Sequence, residues 1–254
     1  MSRRRDLGPW IGFETTQPGA NLNVLCFPHA GAGGSIFAPW GECLPPRVNL
    51  YPVLLPGREA RCSEPMPTSL GRLAEDFIAD NHHLLDAPGL VLLGQCTGAW
   101  LAHEVATRLV ADHEVTPRLL VCIGSGPVDR PVEPVVEDGA SADDICSTFV
   151  RLGVLDPAVA SVPALRDFFL PVIMTDHRLQ QEYRYRPSAP LSCPIVVARG
   201  TDDAQVSATD VRGWTRLSTA GIREFEFSGG HFVAGDAVHQ LLTFVEETVA
   251  EVEP

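Results

Sequence analysis

The sequence lacks the features that mark membrane, secreted and nucleic-acid-binding proteins. No apolar run approaches the roughly 18 to 20 residues that a membrane-spanning helix needs. The first eight residues, MSRRRDLG, do not lead into the apolar core of a signal peptide. Basic side chains are scarce: 19 stand against 32 acidic ones, and the formal charge of −13 repels nucleic-acid phosphate. We therefore expect a cytoplasmic protein with no membrane or nucleic-acid partner.

Paired cysteines and sequence repeats are also missing. The seven cysteines are odd in number and contain no Cys-x-x-Cys pair, and several lie inside apolar runs: Cys26, Cys43, Cys62, Cys96, Cys122, Cys146 and Cys193. This usage fits neither a disulfide framework nor a structural zinc site, and it is typical of thiols packed as small apolar side chains. We expect no bound metal.

What the sequence does contain is a regular alternation of apolar strands and amphipathic helices. Strands are predicted at residues 22–27, 50–54, 90–93, 119–123, 195–198 and 222–227. Most of these segments are apolar throughout, which is typical of strands buried on both faces. Helical spacing of leucines and valines fills the intervals. The pattern predicts an α/β fold, with a mostly parallel central sheet flanked by helices, in one domain over residues 1–254.

One connection is far longer than a crossover needs. Residues 124–193 separate two successive predicted strands, whereas a dozen or so residues suffice. The segment is first rich in proline and acidic residues and then helical in pattern. A helical insertion beside the carboxyl edge of the sheet predicts a lid or substrate chamber. An ordinary helical elaboration is the alternative.

The clearest functional pattern is Gly-Gln-Cys-Thr-Gly at residues 94–98, between a predicted buried strand and an amphipathic helix. This is the context of a nucleophile elbow, with sulfur in place of the usual serine oxygen. The elbow is a tight turn, so Gly94 and Gly98 remove side chains that would collide with neighbouring backbone. The N-terminal N–H groups of the next helix favour negative charge on Cys96. A buried structural cysteine beside two chance glycines is the alternative interpretation.

A base and its orienting carboxylate follow in the chain order that such folds use. Asp202 and Asp203 come after the strand at 195–198, and His231 comes after the strand at 222–227. Parallel strands deliver both to the same edge of the sheet. A solvated turn and an ordinary loop histidine are the alternatives.

The chemistry also needs backbone donors for the oxyanion that forms during attack on a carbonyl. Thr97 supplies one N–H directly after the nucleophile, and the glycine-rich loop at residues 27–34 is placed to supply another. A phosphate-cradling loop is the alternative, but no Gly-Lys-Ser/Thr follows and the spacing matches no nucleotide fingerprint. No bound cofactor is expected.

In this order the segments resemble a type II thioesterase, the stand-alone editing α/β-hydrolase of polyketide and nonribosomal-peptide assembly lines. The resemblance rests on LCFPHAG from residue 25 with Trp40, LPGREAR from residue 55, the elbow, residues 176–185, the turn at 200–203 with Trp214, and GGHF from residue 229. It implies Asp203 as the acid and the N–H groups of Ala30 and Thr97 as the oxyanion hole. It also implies an acyl chamber formed by the inserted helices, and a substrate carried on the phosphopantetheine arm of an acyl or peptidyl carrier protein.

The nucleophile departs from the family pattern, which generally has Gly-His-Ser-Met-Gly. A cysteine forms a thioester intermediate that is nearly isoenergetic with the carrier thioester, and thioesters react well with amines and thiols. Hydrolysis is our first hypothesis, acyl transfer to another acceptor is the second, and an inactive carrier-binding scaffold is the third. A Ser-to-Cys change made to trap an acyl-enzyme would leave the same residue. Because Gln95 and Thr97 also differ from the pattern, we favour a natural variant.

The working hypothesis is that His231, oriented by Asp203, deprotonates Cys96 for attack on a carrier-bound acyl thioester. The carrier is expected to be acidic as well, so long-range attraction is weak and docking requires apolar contact with a local basic patch. Arg184 and Arg186 are the residues suggested for that patch.

Overall fold

The computed structural model describes residues 7–132, 134–137 and 139–252. The arginines at positions 3–5, part of the N-terminal segment that argued against a signal peptide, lie outside the described residues. The strands are β1 Leu22–Phe27, β2 Val48–Pro52, β3 Leu90–Gln95, β4 Leu119–Ile123, β5 Ile195–Gly200 and β6 Ile222–Phe227. They form one sheet in the order β2-β1-β3-β4-β5-β6, and every neighbouring pair is parallel. The predicted parallel sheet is confirmed.

Helices connect the strands and cover both faces of the sheet. They are α1 Leu70–Asp80, α2 His82–Leu85, α3 Thr97–Asp112, α4 Ala142–Arg151, α5 Pro157–Ala160, α6 Pro163–Glu182, α7 Ala208–Gly213 and α8 Asp236–Val252. Short 3-10 segments lie at Gly34–Cys43, Glu59–Arg61 and Trp214–Leu217. None of the helices in the described ranges has both the length and the apolar character to cross a membrane.

Apolar side chains on the two faces of the sheet form two separate layers. On one face α1 and α3 pack over the strands, where the Phe77 ring meets Trp10 and Phe27 edge to face at 5.6 and 5.1 Å between centroids. On the other face Leu241 and Val245 of α8 lie against the strands. Burying each such side chain contributes about 1.5–3 kcal/mol, so the layers hold the strand ends in fixed positions.

The edge strand β6 departs from the expectation of strands buried on both faces. Its residues are mostly exposed or half-buried, and Phe227 alone is fully buried. Because β6 has a neighbour on one side only, charged residues such as Arg223 and Glu224 reach solvent there.

The long connection between β4 and β5 holds α4, α5 and α6. These helices enclose a small apolar cluster of their own, formed by Cys146, Phe149, Leu155, Leu170 and Ile173. The chain returns to the sheet at β5, so the insertion stands at the edge where β4 ends.

The carboxyl ends of the strands bring the predicted site together. Phe27 of β1 lies beside Gly94 of β3, and Gln95 lies beside Ile123 of β4. Gly200 of β5 lies beside Phe227 of β6. The segments that follow β1, β3, β5 and β6 therefore leave the sheet at one edge.

Candidate active site

Cys96 occupies the turn between β3 and α3 in a backbone conformation that few residues adopt. Its φ is 53° and its ψ is −117°, and it is the N-cap of α3. The turn is held by two hydrogen bonds: Cys96 N–H donates to Ile123 O at 2.8 Å, and Ala99 N–H donates to Cys96 O at 3.0 Å. A positive φ at a non-glycine residue costs energy that the surroundings must offset. The half-buried thiol is thus presented at the sheet edge.

The two glycines of the elbow have no room for a side chain. A Cβ on Gly94 would overlap the backbone of Gly98 and Ala99 at the start of α3. A Cβ on Gly98 would overlap the carbonyl oxygens of Phe27 and Pro28 at the end of β1. The collisions that the sequence pattern predicted are therefore with helix backbone in one case and with strand-end backbone in the other.

Asp203 and His231 are in direct contact. His231 Nδ1 lies 2.9 Å from Asp203 Oδ2, and both side chains are buried. The second oxygen, Asp203 Oδ1, accepts hydrogen bonds from the N–H groups of Gln205 at 2.8 Å and Val206 at 3.2 Å. Asp202 is exposed. Of the two neighbouring aspartates, Asp203 is the one that orients the imidazole.

The surroundings of His231 favour its protonated form. Burial by itself would lower the pKa of His231, but the hydrogen bond with Asp203 and the interaction with Cys96 raise it to about 10. Burial would raise the pKa of Asp203, yet the bond to His231 brings that pKa below its usual value. Nε2 of His231 is buried and has no hydrogen-bond partner among the residues that the structure describes. It is the ring nitrogen that is free to exchange a proton. Hydrogen bonds of this kind often form fully only when substrate is bound.

The two predicted oxyanion donors lie beside the elbow and are not engaged elsewhere. Ala30 is buried in the loop after β1, and Thr97 is the first residue of α3. Within the described residues neither N–H donates a hydrogen bond to a protein acceptor. A helix N-terminus leaves its first N–H groups unpaired, so Thr97 is suited to an anionic ligand.

A buried ion pair beside these donors was not assigned any role from the sequence. Arg58 binds Asp176 with both guanidinium nitrogens, Nη1 to Oδ2 at 2.6 Å and Nη2 to Oδ1 at 2.9 Å. Asp176 Oδ2 also accepts from Gly31 N–H at 2.8 Å, and Arg58 Nη1 donates to Ala32 O at 3.1 Å. Both residues lie in segments that carry the family resemblance. Membership of those segments was the signal available in the sequence, but it did not indicate that the two side chains meet.

His29 and Phe232 form an aromatic cluster with the imidazole of His231. The His29 ring lies 4.4 Å from that of Phe232, and Phe232 meets His231 edge to face at 4.8 Å. Burial lowers the pKa of His29 to about 4, so it is neutral at physiological pH. A neutral ring here keeps a second positive charge away from the imidazolium of His231.

The remaining predicted features are distributed elsewhere. Arg184 and Arg186 are exposed just after α6, where Arg184 donates to the carbonyls of Gln181 and Tyr183. In the part of the chain that the structure describes, no group of three or more His, Cys, Asp or Glu residues is arranged to hold a metal ion.

These groups supply the parts of a nucleophilic acyl-transfer site. Such a site requires a nucleophile, a proton carrier and oxyanion donors, and the arrangement has a thiol at Cys96, an imidazole at His231 bonded to Asp203, and two unengaged N–H groups at Ala30 and Thr97. The strand ends and the start of α3 position them, so the arrangement does not depend on flexible surface loops alone.

Comparisons with known proteins agree with this geometry. The model of the thioesterase domain family matches residues 23–249. Thioesterase PikA5 of Streptomyces venezuelae is 30% identical over 246 residues, which cover 95% of this chain and 86% of PikA5. RedJ, a thioesterase from the prodiginine biosynthetic pathway in Streptomyces coelicolor, is 30% identical with a TM-score of 0.82, covering 92% of this chain and 94% of RedJ. The type II thioesterase BorB from the borrelidin biosynthetic cluster is 26% identical with a TM-score of 0.80, covering 94% and 97%.

RedJ and BorB share the arrangement of sheet and helices along almost the whole chain, which confirms the predicted α/β-hydrolase fold. The family model spans most of the sequence, and PikA5 aligns with nearly all of it. The chain therefore belongs to the thioesterase family.

Proposed function

We propose that this protein is a type II thioesterase that releases acyl groups from the phosphopantetheine arm of a carrier protein through an acyl-Cys96 intermediate. The observation that carries the proposal is the arrangement of Cys96 at the strained elbow with His231 and Asp203 at the same sheet edge. A paired imidazole beside a nucleophile on a turn of this type serves acyl transfer.

In the first half-reaction Cys96 Sγ attacks the thioester carbonyl carbon. Before the attack its proton has passed to His231 Nε2, because the raised pKa of His231 favours the imidazolium, and the carbonyl oxygen becomes an oxyanion held by the N–H groups of Ala30 and Thr97. The bond between the carbonyl carbon and the pantetheine sulfur then breaks. His231 returns the proton to that sulfur, so the carrier leaves as a free thiol and the acyl group remains on Cys96.

In the second half-reaction water takes the place of the thiol. His231 Nε2 removes a proton from water, and the hydroxyl attacks the acyl carbon of the Cys96 thioester. When the intermediate collapses, the Cys96 sulfur leaves and recovers its proton from His231. The product is a carboxylic acid. Asp203 keeps the imidazole oriented through both halves.

The relatives support an assembly-line substrate. BorB and RedJ are described as belonging to the borrelidin and prodiginine biosynthetic pathways. The pathways of BorB and RedJ support the proposal that the substrate is a carrier-bound intermediate of polyketide or nonribosomal-peptide synthesis. No bound cofactor is part of this chemistry.

The contacts of the insertion support a lid that forms one domain with the sheet. Gln205, next to the acid, donates through Nε2 to Leu152 O of the insertion at 3.3 Å. A Cβ at Gly153 would lie 3.5 Å from the ring of Phe232, the neighbour of His231. Asp176 of α6 binds the loop that carries Ala30. The insertion thus touches both the acid–base side and the oxyanion side of the proposed site, where an acyl chain would be enclosed.

Acyl transfer is the second candidate, and the sulfur at position 96 favours it. An acyl-cysteine reacts readily with amines and thiols, whereas an acyl-serine is an oxyester with a weaker preference for such acceptors. The same first half-reaction then ends with an amine or thiol in place of water.

The test is intact mass spectrometry of the protein mixed with an acyl-loaded carrier protein. Hydrolysis predicts a transient acyl adduct that decays in water alone, with release of the free acid. A stable adduct that is discharged only by an added amine or thiol would show that the protein catalyses acyl transfer and not hydrolysis. Absence of any adduct and of any turnover would leave a carrier-binding scaffold. Cys96→Ser is the matched variant: an oxyester adduct with lower partitioning to amines is expected.

A further inference from the structure

The Arg58–Asp176 pair joins three parts of the molecule that are distant in sequence. Asp176 belongs to α6 of the insertion, Arg58 precedes the 3-10 turn at Glu59–Arg61, and Gly31 and Ala32 belong to the loop after β1. Arg58 is 3% exposed and Asp176 is 8% exposed, so the pair is almost fully withdrawn from water. Two hydrogen bonds join Arg58 to Asp176, and two more join the pair to the adjacent loop residues Gly31 and Ala32.

The bonds from this pair fix the peptide units next to a proposed oxyanion donor. Asp176 Oδ2 accepts from Gly31 N–H, so that N–H is directed toward α6. Arg58 Nη1 holds Ala32 O, one residue further along. The preceding N–H, that of Ala30, is left without a protein acceptor in the described part of the chain. Because the Gly31 N–H and the Ala32 carbonyl are both held, the backbone that follows Ala30 is fixed. This limits the directions that the Ala30 N–H can take.

Packing of α6 reinforces the same position. Gly31 has a φ of +77°, and a Cβ at this residue would overlap the side chain of Ile173, one turn before Asp176 on α6. The loop backbone thus sits directly on the helix, without an intervening side chain. A displacement of α6 would move both the carboxylate and the apolar contact.

Stability alone is a poor explanation for this pair. Removing two charges from water is costly, and a buried ion pair often contributes no more than well-packed apolar residues would. What apolar residues would not supply is the directional set of hydrogen bonds to Gly31 and Ala32. The Arg61–Glu64 pair in the same segment, with Nη2 to Oε2 at 2.6 Å, makes no hydrogen bond to this loop among the described residues, since the third Arg61 nitrogen donates to Leu54 O.

Building on the proposed function, we propose that Asp176, held by Arg58, is a positioning residue for the oxyanion hole. It sets the direction of the Ala30 N–H, and through its place on α6 it makes stabilisation of the tetrahedral intermediate depend on how the insertion is seated. Asp176 does not touch the reacting atoms.

The test compares two reactions of the same sulfur in the full-length protein. Alkylation of Cys96 by iodoacetamide displaces iodide at a saturated carbon and forms no oxyanion. Acylation by an acyl-N-acetylcysteamine thioester needs the oxyanion hole. In Asp176→Asn we expect kcat/KM for the thioester to fall by about 10²-fold through kcat, the scale of losing one oxyanion donor, while the alkylation rate changes by less than about threefold.

Two further variants make the result specific. Arg58→Lys keeps the charge but loses the paired geometry, so it should also reduce acylation more than alkylation, and it provides the answer if Asp176→Asn does not fold. Glu64→Gln removes an ion pair in the same segment without touching the loop, and both rates should stay within about twofold of wild type.

A parallel loss of both rates in Asp176→Asn and Arg58→Lys would overturn the proposal, because the pair would then only support the site as a whole. Unchanged acylation would overturn it as well. Failure of the proposed function looks different: the wild-type protein itself would then form no acyl-Cys96 adduct with the thioester, whatever residue 176 is.

Discussion

The sheet edge and the insertion meet at the proposed site, but they are built on different principles. The sheet edge has its backbone fixed by parallel pairing and by two apolar layers, and Asp203 and His231 are buried in direct contact. The insertion has one small apolar cluster. Most of the large apolar side chains that are exposed in the described residues belong to it: Val162, Leu165, Phe168 and Met174. An edge packed on both faces suits the chemistry that we propose, and an insertion with fewer buried apolar side chains suits differences in substrate.

The largest effect on activity is expected from removal of the proposed nucleophile at the sheet edge. Cys96→Ala should reduce the release of free acid from an acyl carrier by about 10⁴-fold or more, because no acyl-enzyme can form. The free energy of unfolding should change little, since the thiol is half-buried and makes no hydrogen bond that holds the turn. Steady-state acid release and urea unfolding measure the two quantities. Retention of a tenth of the activity would exclude Cys96 as the nucleophile.

Removing the carboxylate should separate the two regions most clearly. Asp203→Asn should lower thioester turnover by about 10²–10⁴-fold, because the imidazole loses its orientation and its stabilised charge. Iodoacetamide alkylation of Cys96 should fall as well, since the base itself is impaired. This is the opposite of the expectation for Asp176→Asn, where alkylation is preserved. Equal patterns in the two variants would remove the distinction between edge and insertion.

Alanine substitution of two buried phenylalanines compares how much the sheet layers and the insertion contribute to stability. Phe77→Ala should lower the global free energy of unfolding by about 3–5 kcal/mol, because Phe77 projects from α1 into the large apolar layer. Phe149 is equally buried but packs in the small cluster, with its ring stacked on His177 at 4.9 Å. Phe149→Ala should mainly accelerate hydrogen exchange in α4 and α6, with a smaller global loss. A larger global loss for Phe149→Ala would show that the insertion supports the fold as a whole.

The protonation of His231 gives a pH-dependent term in stability. Its pKa is raised to about 10 by Asp203 and Cys96 in spite of burial. A raised pKa stabilises the fold fully below the unfolded value of about 6.5, and that contribution disappears as the pH rises through the folded value. The difference in unfolding free energy between wild type and Asp203→Asn should therefore shrink between pH 6 and pH 10 in urea titrations. A difference that stays constant over this range would mean that His231 is neutral in the fold.

The smallest effect is expected at the surface. Arg184→Glu combined with Arg186→Glu should weaken carrier-protein affinity a few-fold at low salt, and less at high salt, because both side chains are exposed and screened. Unfolding should shift by no more than about 0.5 kcal/mol. Fluorescence anisotropy with a labelled carrier protein measures the affinity. Unchanged affinity at low salt would remove these arginines from the docking surface.

The sequence predicts the sheet well because apolar runs and strand ends coincide in most of it. The predicted bounds match those of β1, β4 and β6, whereas β2 spans Val48–Pro52 in place of 50–54. The apolar run continues past the end of that strand. Its next residue, Val53, is no longer part of the parallel register between β1 and β2 and forms an isolated antiparallel bridge with Ile11. Hydrophobicity alone does not indicate where parallel pairing ends.

In the site, too, the sequence predicts some features and not others. The positions of Cys96, Asp203 and His231 follow from chain order and from the shared edge of parallel strands. The contact between Arg58 and Asp176 depends on how α6 lies across the loop after β1. No periodicity or spacing in the sequence specifies that packing.

The most direct test of the central claim is to locate the acyl group during turnover. The protein is mixed with an acyl-loaded carrier, quenched in acid within the first turnovers, digested, and examined by tandem mass spectrometry. We predict the acyl mass on the peptide that contains Cys96, with no such adduct in Cys96→Ala. An acyl group on any other residue, or free acid released by Cys96→Ala at the wild-type rate, would contradict the account.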